Sequence, residues 1–268
     1  MSTSDSLQKT ALVTGASSGI GLELARLFAR DGYGLVLVAR SRGTLREVAD
    51  ALQSRCGVPV RVAPKDLSHP AAPVELYQEL QESGIAVDVL VNNAGFGGSG
   101  PFLHTDWSTE AEMIQVNTVA LVHLTKLFLP QIVARKGKLL NVGSVAGFLP
   151  GPYTAIYYAS KAFVLHFTEA LAEELSGTGV TVTCLCPGPV QTNFQKRAHT
   201  GGSSRANRGL YMDVRQVAAL GYEGMTTGKR IVIPGWRSRL LTIAIRFVPR
   251  DRVTKMVGSM YAANTSSK

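Results

Sequence analysis

The sequence predicts an α/β protein: a doubly wound, seven-stranded parallel sheet, Rossmann-like, in a single domain. Three observations lead there. Short β-branched apolar runs alternate with longer stretches of helical period along most of the 268 residues. Such alternation implies right-handed crossovers with helices on both sides of a sheet. The runs are continuously apolar, as befits strands buried on both faces of a parallel sheet. The first run opens into a glycine-rich turn and then a helix, and sheets of this kind bind ligands at the C-terminal ends of their strands.

The elements follow in order. Met1 to Gln8 is polar and Ser/Thr-rich, without the charged and apolar regions of a secretory signal, and reads as a loose tail. Thr10–Thr14 is the first strand and Leu22–Arg30 the helix after it. Leu35–Ala39 and Thr44–Arg55 repeat that pairing. The apolar runs Val58–Ala63, Val87–Val91, Lys138–Val142, Val180–Cys186 and Arg230–Ile233 complete seven strands. Helical periods near 71–83, 109–134, 155–176 and 214–226 fill the gaps. The irregular stretch from Val190 to Met212, rich in Gly, Ser and Arg, is long for a compact domain and reads as a lid over substrate or as a disordered segment. Within it, Phe194 is a candidate pocket residue, and Lys196, Arg197, Arg205 and Arg208 are candidates for meeting an acidic substrate.

Composition excludes several classes. An odd number of cysteines (Cys56, Cys184, Cys186) argues against a disulfide scaffold. Cys184 and Cys186 share one strand face as buried thiols, which suits a reducing cytoplasm. The five histidines pair with no Cys or His at a ligand spacing, so no metal site is expected. No apolar run is expected to be long enough to span a membrane as a helix. The net charge of +9 is uneven: residues 229–268 hold nine Lys/Arg and one acid, Asp251, while residues 1–228 are nearly neutral. Without aromatic interleaving or a binding motif, that charge does not point to nucleic acid.

The chemistry-bearing motifs sit at strand ends. Thr14–Gly21 (TGASSGIG) spaces glycines as Gly-x3-Gly-x-Gly. It lets the backbone approach a diphosphate, which the following helix N-terminus receives with N–H donors. The second strand ends in Arg40 rather than in a carboxylate. A carboxylate there would bind a ribose 2′-hydroxyl, whereas Arg40 attracts a 2′-phosphate, so the expected cofactor is NADP(H). Tyr157 and Lys161 stand one helical turn apart on one face. A cation held there is expected to lower the tyrosine pKa and poise it for proton exchange with a carbonyl or alcohol oxygen. Ser144 lies thirteen positions before Tyr157, at a strand end, where its hydroxyl can donate to a substrate oxygen. Tyr158 competes with Tyr157 because it too lies near Lys161.

Together these residues resemble the short-chain dehydrogenase/reductase family over roughly residues 8–235. The resemblance rests on the Thr14–Gly21 turn, Asp66-Leu67, Asn92-Asn93-Ala94-Gly95, Asn117, Ser144, Tyr157 with Lys161, and Pro187-Gly188. It implies a catalytic set of Asn117, Ser144, Tyr157 and Lys161, and its spacing prefers Tyr157 to Tyr158. It implies cofactor contacts from Gly15, Ser17, Ser18, Gly19, Ile20, Gly21 and Arg40, and from Asp66 and Leu67 at the adenine. Asn92, Asn93, Ala94 and Gly95 would support the central strand beside the cofactor. Tyr157, Lys161, Pro187, Gly188, Val190 and Thr192 would hold the nicotinamide end. Asn117 would hold a helix carbonyl and a water. The implied activity is NADPH-dependent reduction of a ketone or aldehyde, or the reverse, on an apolar or lipid-like substrate. The alternatives are a 3-oxoacyl thioester reductase and an NADP(H)-binding regulator with little catalysis. A homodimer or homotetramer through the long helices is expected, with Phe163, Phe167 and Leu171 along one side of the second.

Residues 236–262 form a basic, amphipathic helical extension. Leu240, Leu241, Ala244, Ile245 and Val248 are expected on one helix face, with Arg239 and Arg246 off it. Beyond Pro249, Val253, Met256, Val257 and Met260 repeat at helical spacing. Packing on the body or a subunit interface is one reading. A peripheral membrane contact, with Trp236 and a basic face meeting anionic headgroups, is the other.

Overall fold

The structure is a computed structural model that describes residues 8–190 and 211–265. The strands are β1 (Thr10–Thr14), β2 (Gly34–Ala39), β3 (Val60–Pro64), β4 (Val89–Asn92), β5 (Lys138–Val142), β6 (Thr181–Leu185) and β7 (Ile231–Val232). They form one parallel sheet in the order β3-β2-β1-β4-β5-β6-β7. The order reverses between β1 and β4, where Leu12 pairs with Leu90 and Val13 with Val91. A crevice opens at such a reversal because the connections on its two sides leave in opposite directions.

The helices are α1 (Gly19–Arg30), α2 (Arg42–Cys56), α3 (Ala72–Glu82), α4 (Trp107–Ile114), α5 (Ala120–Ala134), α6 (Ala155–Glu174), α7 (Val214–Thr226), α8 (Trp236–Ala244) and α9 (Arg250–Thr265). Local chemistry sets several ends. Ser41 Oγ accepts from Thr44 N at the start of α2, and Gly57, at φ +66°, ends it in the left-handed region. Asp213 Oδ1 accepts from Arg215 N and Gln216 N at the start of α7.

Continuously apolar strands serve two cores, one on each face. On one face Val13, Leu37 and Val91 meet Leu24 and Phe28 of α1 and Val217 and Met225 of α7. On the other, Leu12, Val36 and Leu90 meet Leu76 of α3, Leu124 and Phe128 of α5 and Leu171 of α6. Each such side chain contributes roughly 1.5–3 kcal/mol on burial, which outweighs any local preference of these short strands.

Two expectations need correction here. The long helix near 109–134 is interrupted: a π-turn over Gln115–Val119 separates α4 from α5. Its extra residue per turn places Asn117 at a widened point, a feature common at functional sites. The stretch Trp107–Ala134 is also long and apolar enough to cross a membrane, contrary to expectation. Its apolarity has a different cause, since Leu121, Leu124, Phe128 and Ile132 are buried against the body of the protein.

The C-terminal extension divides its faces differently from the expected pattern. Val253 and Val257 are buried, but Met256 and Met260 are exposed. In α8, Thr242 is buried and Ile245, just beyond it, is partly covered, while Leu240 points to solvent. Packing of two short helices on a curved body selects a narrower stripe than hydropathy alone marks.

Candidate active site

The crevice is walled by the β1–α1 turn. Gly15 and Gly19 have φ of +65° and +61°, which L side chains rarely adopt. A Cβ at Gly21 would lie 2.5 Å from the Gly15 carbonyl oxygen, so only glycine lets the helix start this close to the strand. Thr14, inside the predicted turn, proves to be its hub. Its Oγ1 donates to Val91 O (3.2 Å) and accepts from Asn93 N and Ala94 N (both 2.9 Å). Asn93 Nδ2 in turn donates to Thr14 O (2.8 Å) and Gly15 O (3.3 Å). The turn is thus strapped to the end of β4. Ser18 precedes α1 in an extended conformation and provides no side-chain cap. The first-turn amides of α1 therefore keep donor capacity for an anion.

Arg40 is exposed at the end of β2. It acts with Asp66 at the neighbouring strand end: burial opposes ionisation of Asp66, but hydrogen bonds from Ser68 and the charges of Arg40 and His69 outweigh it and hold the carboxyl below its usual range. Leu67 beside it is buried. These residues present a cation, an anion and an apolar surface at one edge of the crevice.

The candidate catalytic groups lie at the other edge. Ser144 follows β5 with an extended backbone. Its Oγ accepts from Ala146 N (3.1 Å), donates to Pro187 O (3.4 Å) and hydrogen-bonds the Tyr157 hydroxyl. Lys161 is buried, donates from Nζ to Val142 O (2.9 Å), and lies 5.9 Å from the Tyr157 ring centroid. Asn117 accepts from Phe96 N (3.1 Å) and donates to Phe96 O (2.9 Å) and Ser160 Oγ (3.1 Å). Ser160 Oγ donates to Tyr157 O (2.7 Å). A Cβ at Gly95 would sit 2.9 Å from Asn117 Oδ1 and 3.7 Å from Lys161 Nζ, so Gly95 keeps the space between these two groups open.

Two further expectations change. Asn117 holds the backbone of Phe96 in the loop after β4, not a helix carbonyl. The Tyr157 pKa is not lowered: burial pushes it up to about 12, against a smaller opposing effect of the Ser144 hydrogen bond. The same burial brings Lys161 down to about 8. Desolvation disfavours both charged forms, and here it exceeds what the ammonium can do for the phenol.

The remaining candidates divide. Asn92 turns to the opposite face, where Nδ2 donates to Thr125 Oγ1 and Asn141 Oδ1 (both 3.0 Å). Asn141 Nδ2 then donates to Thr168 Oγ1 (3.0 Å), so a buried polar chain runs from α5 to α6 beneath the crevice. Pro187 O receives Ser144 Oγ and Val145 N, and Val190 is buried and bridged to Met212. Gly188 lies against Ser238 of α8. Thr192, Phe194, Lys196, Arg197, Arg205 and Arg208 lie outside the described residues.

One neighbour was missed. Tyr261 of α9 places its hydroxyl 3.3 Å from the Tyr158 hydroxyl. The signal was present: Tyr261 continues the buried stripe of Val253 and Val257 at spacings of four.

Residues 9–201 match the family model described as short chain dehydrogenase. The chain belongs to the short-chain dehydrogenase family. Sulfoacetaldehyde reductase 2 of Chromohalobacter salexigens is 39% identical over 211 residues, covering 78% of this chain and 82% of that protein. The very-long-chain 3-oxoacyl-CoA reductase of Kluyveromyces lactis is 37% identical over 182 residues, covering 64% of this chain and 52% of its own length. A short-chain dehydrogenase from Sphingobium yanoikuyae, solved in complex with NADPH, superposes with a TM-score of 0.78 at 34% identity, covering 89% of this chain and 93% of that one. A 7beta-hydroxysteroid dehydrogenase reaches 0.85 at 26% identity, covering 93% and 96%. As a member of the short-chain dehydrogenase family, this protein is an oxidoreductase.

Proposed function

We propose that the protein is an NADP(H)-dependent carbonyl reductase, turning a ketone or aldehyde on an apolar or lipid-like molecule into an alcohol. It catalyses the reverse oxidation through the same groups. The observation that carries this reading is the meeting of Ser144, Tyr157 and Lys161 at the edge of a glycine-lined crevice.

The turn suits a dinucleotide, since Gly15 and Gly19 take positive φ, Gly21 lets α1 start close against β1, and no side chain caps the first-turn amides that would meet a diphosphate. Gly15, Ser17, Ser18, Gly19, Ile20 and Gly21 would hold the diphosphate, Arg40 a 2′-phosphate, and Asp66 and Leu67 the adenine. Asn93, Ala94 and Gly95 would border it, with Asn92 bracing their strand from below. Pro187, Gly188, Val190 and Thr192 would position the nicotinamide. When bound, that cofactor supplies hydride to the carbonyl carbon. Ser144 Oγ orients the carbonyl oxygen by hydrogen bonding. Tyr157, neutral at physiological pH and kept so to still higher pH by burial, donates its proton to that oxygen. Lys161 then stabilises the phenolate, and Asn117, through Ser160 and Phe96, keeps the turn carrying Tyr157 in place.

NADPH consumption against ketones, aldehydes and 3-oxoacyl thioesters tests this reading. Turnover of at least one class is expected. Tight NADPH binding with no turnover of any would instead indicate a regulator. A 3-oxoacyl thioester reductase is the second reading, favoured by the similarity to the Kluyveromyces lactis protein, and the thioester arm of the panel separates it.

Arg40→Asp is expected to raise KM for NADPH about 10–100-fold, the value of a charge-assisted bond of roughly 1.5–3 kcal/mol. KM for NADH should change little. Equal effects on both would remove the 2′-phosphate role.

Residues 8–235 constitute the catalytic body in this proposal and 236–262 an accessory extension. Phe163, exposed and stacked on Phe167 (6.0 Å), supports a homodimer or homotetramer through α6. The free thiols Cys56, Cys184 and Cys186 support a cytoplasmic setting.

A further inference from the structure

We propose that α8 and the turn after it dock the protein on an anionic lipid surface. This stands apart from the carbonyl reductase reading. Trp236, Leu240, Ile243 and Phe247 are spaced by four, three and four residues and so form one stripe along the helix. Their exposures are 70%, 58%, 54% and 84%. The opposite face carries Ser238, Thr242 and Ile245. Thr242 is buried and Ser238 touches Gly188. The helix is therefore inverted: mostly small polar residues face the protein, and large apolar ones face out. An ordinary surface helix does the reverse.

Cations flank the stripe on both sides, Arg237 on one and Arg239 and Arg246 on the other. The Arg237 guanidinium lies 5.4 Å from the Trp236 ring, pairing an interfacial aromatic with a charge that can reach a headgroup. Arg250, Arg252 and Lys255 extend the basic surface into α9. Among the described residues, no carboxylate lies within ion-pair distance of Arg239, Arg246, Arg250, Arg252 or Lys255.

These features select the occupant. A second copy meeting this face across a two-fold axis would set arginines against arginines. Anionic lipid supplies the missing negative charge and an apolar layer in one surface. A helix with an apolar stripe and basic flanks lies in the interface plane with that stripe submerged.

The full chain should float with phosphatidylcholine vesicles containing about a third phosphatidylglycerol, and not with phosphatidylcholine alone; added salt should release it. Arg239→Gln with Arg246→Gln should weaken binding roughly thirty-fold, about 1 kcal/mol or fivefold for each charge removed. Trp236→Ser with Phe247→Ser should abolish flotation without shifting the melting temperature, since both side chains are exposed. In a Trp107→Phe protein, where Trp236 is the one remaining tryptophan, emission should shift to the blue on adding anionic vesicles. Three results would overturn the proposal: no flotation of the parent chain on anionic vesicles, undiminished binding by both double variants, or a lower solution mass of the Trp236→Ser, Phe247→Ser variant, which would assign the stripe to a second copy.

Discussion

Tyr157→Phe is expected to lower kcat by about 10²–10⁴-fold, the contribution of a positioned general acid, while NADPH binds as tightly as to the parent. The substitution removes one hydroxyl and keeps the ring that lies beneath Lys161 and packs edge-on against Tyr158 at 6.0 Å. Fold and cofactor crevice should therefore survive. Tyr158→Phe is the control. Its hydroxyl pairs with Tyr261, so its loss should change turnover only a few-fold. Steady-state rates and NADPH fluorescence titration on both variants decide the matter. A silent Tyr157→Phe beside an inactive Tyr158→Phe would reverse the assignment.

Lys161→Met should move activity and stability in opposite directions. A buried lysine held near 8, against an ordinary 10.5, costs the folded state roughly 3 kcal/mol while it stays protonated. Methionine removes that cost but leaves Val142 O without the donor it has now, a loss of about 1 kcal/mol. A net gain of about 1–2 kcal/mol near pH 7 is expected, with kcat reduced at least about 100-fold.

The pH dependence gives the sign. The Lys161 pKa is depressed on folding, so between about 8 and 10.5 the unfolded chain binds more protons and stability rises with pH. Tyr157 is raised, so its contribution is present below about 10 and is lost as pH climbs toward about 12. In urea titrations from pH 7 to 10 the stability of the parent should rise relative to that of Lys161→Met. Parallel profiles would mean that Lys161 carries no desolvation cost.

Several features were legible in the residues alone because local chemistry dictates them. The first and fifth strands fall on the predicted spans, Thr10–Thr14 and Lys138–Val142. A run apolar on both faces has no stable place except the middle of a parallel sheet. Gly15, Gly19 and Gly21 marked the crevice for a similar reason, since two need a positive φ and one cannot carry a Cβ. The i to i+4 spacing of Tyr157 and Lys161 was informative for as long as the argument concerned which groups are neighbours.

It does not set the energy of the pair. Spacing says that an ammonium is close to a phenol, but not how much water both have lost. Buried Lys161 donates to Val142 O at the end of β5 and lies in the field of Cys184 and Cys186, residues well outside its own helix in sequence. Asn117 was found as a residue, yet its partner Phe96 lies twenty-one positions earlier, and the π-turn that aims it has no pattern of its own. In α8, hydropathy picked Leu240 and Ile245 for one face, whereas contact with Gly188 rotated the helix so that Ser238 and Thr242 face inward.

The sequence by itself determined the strand and helix alternation, the glycine turn, the candidate site side chains and the uneven charge, all consequences of residue type and short-range spacing. Only the tertiary structure decided the directions in which burial shifts Tyr157 and Lys161, the partners of Asn117 and Asn92, and the outward apolar stripe of α8. Those depend on which distant segments exclude water from a group, and exclusion of water is a property of the packed chain rather than of any window along it.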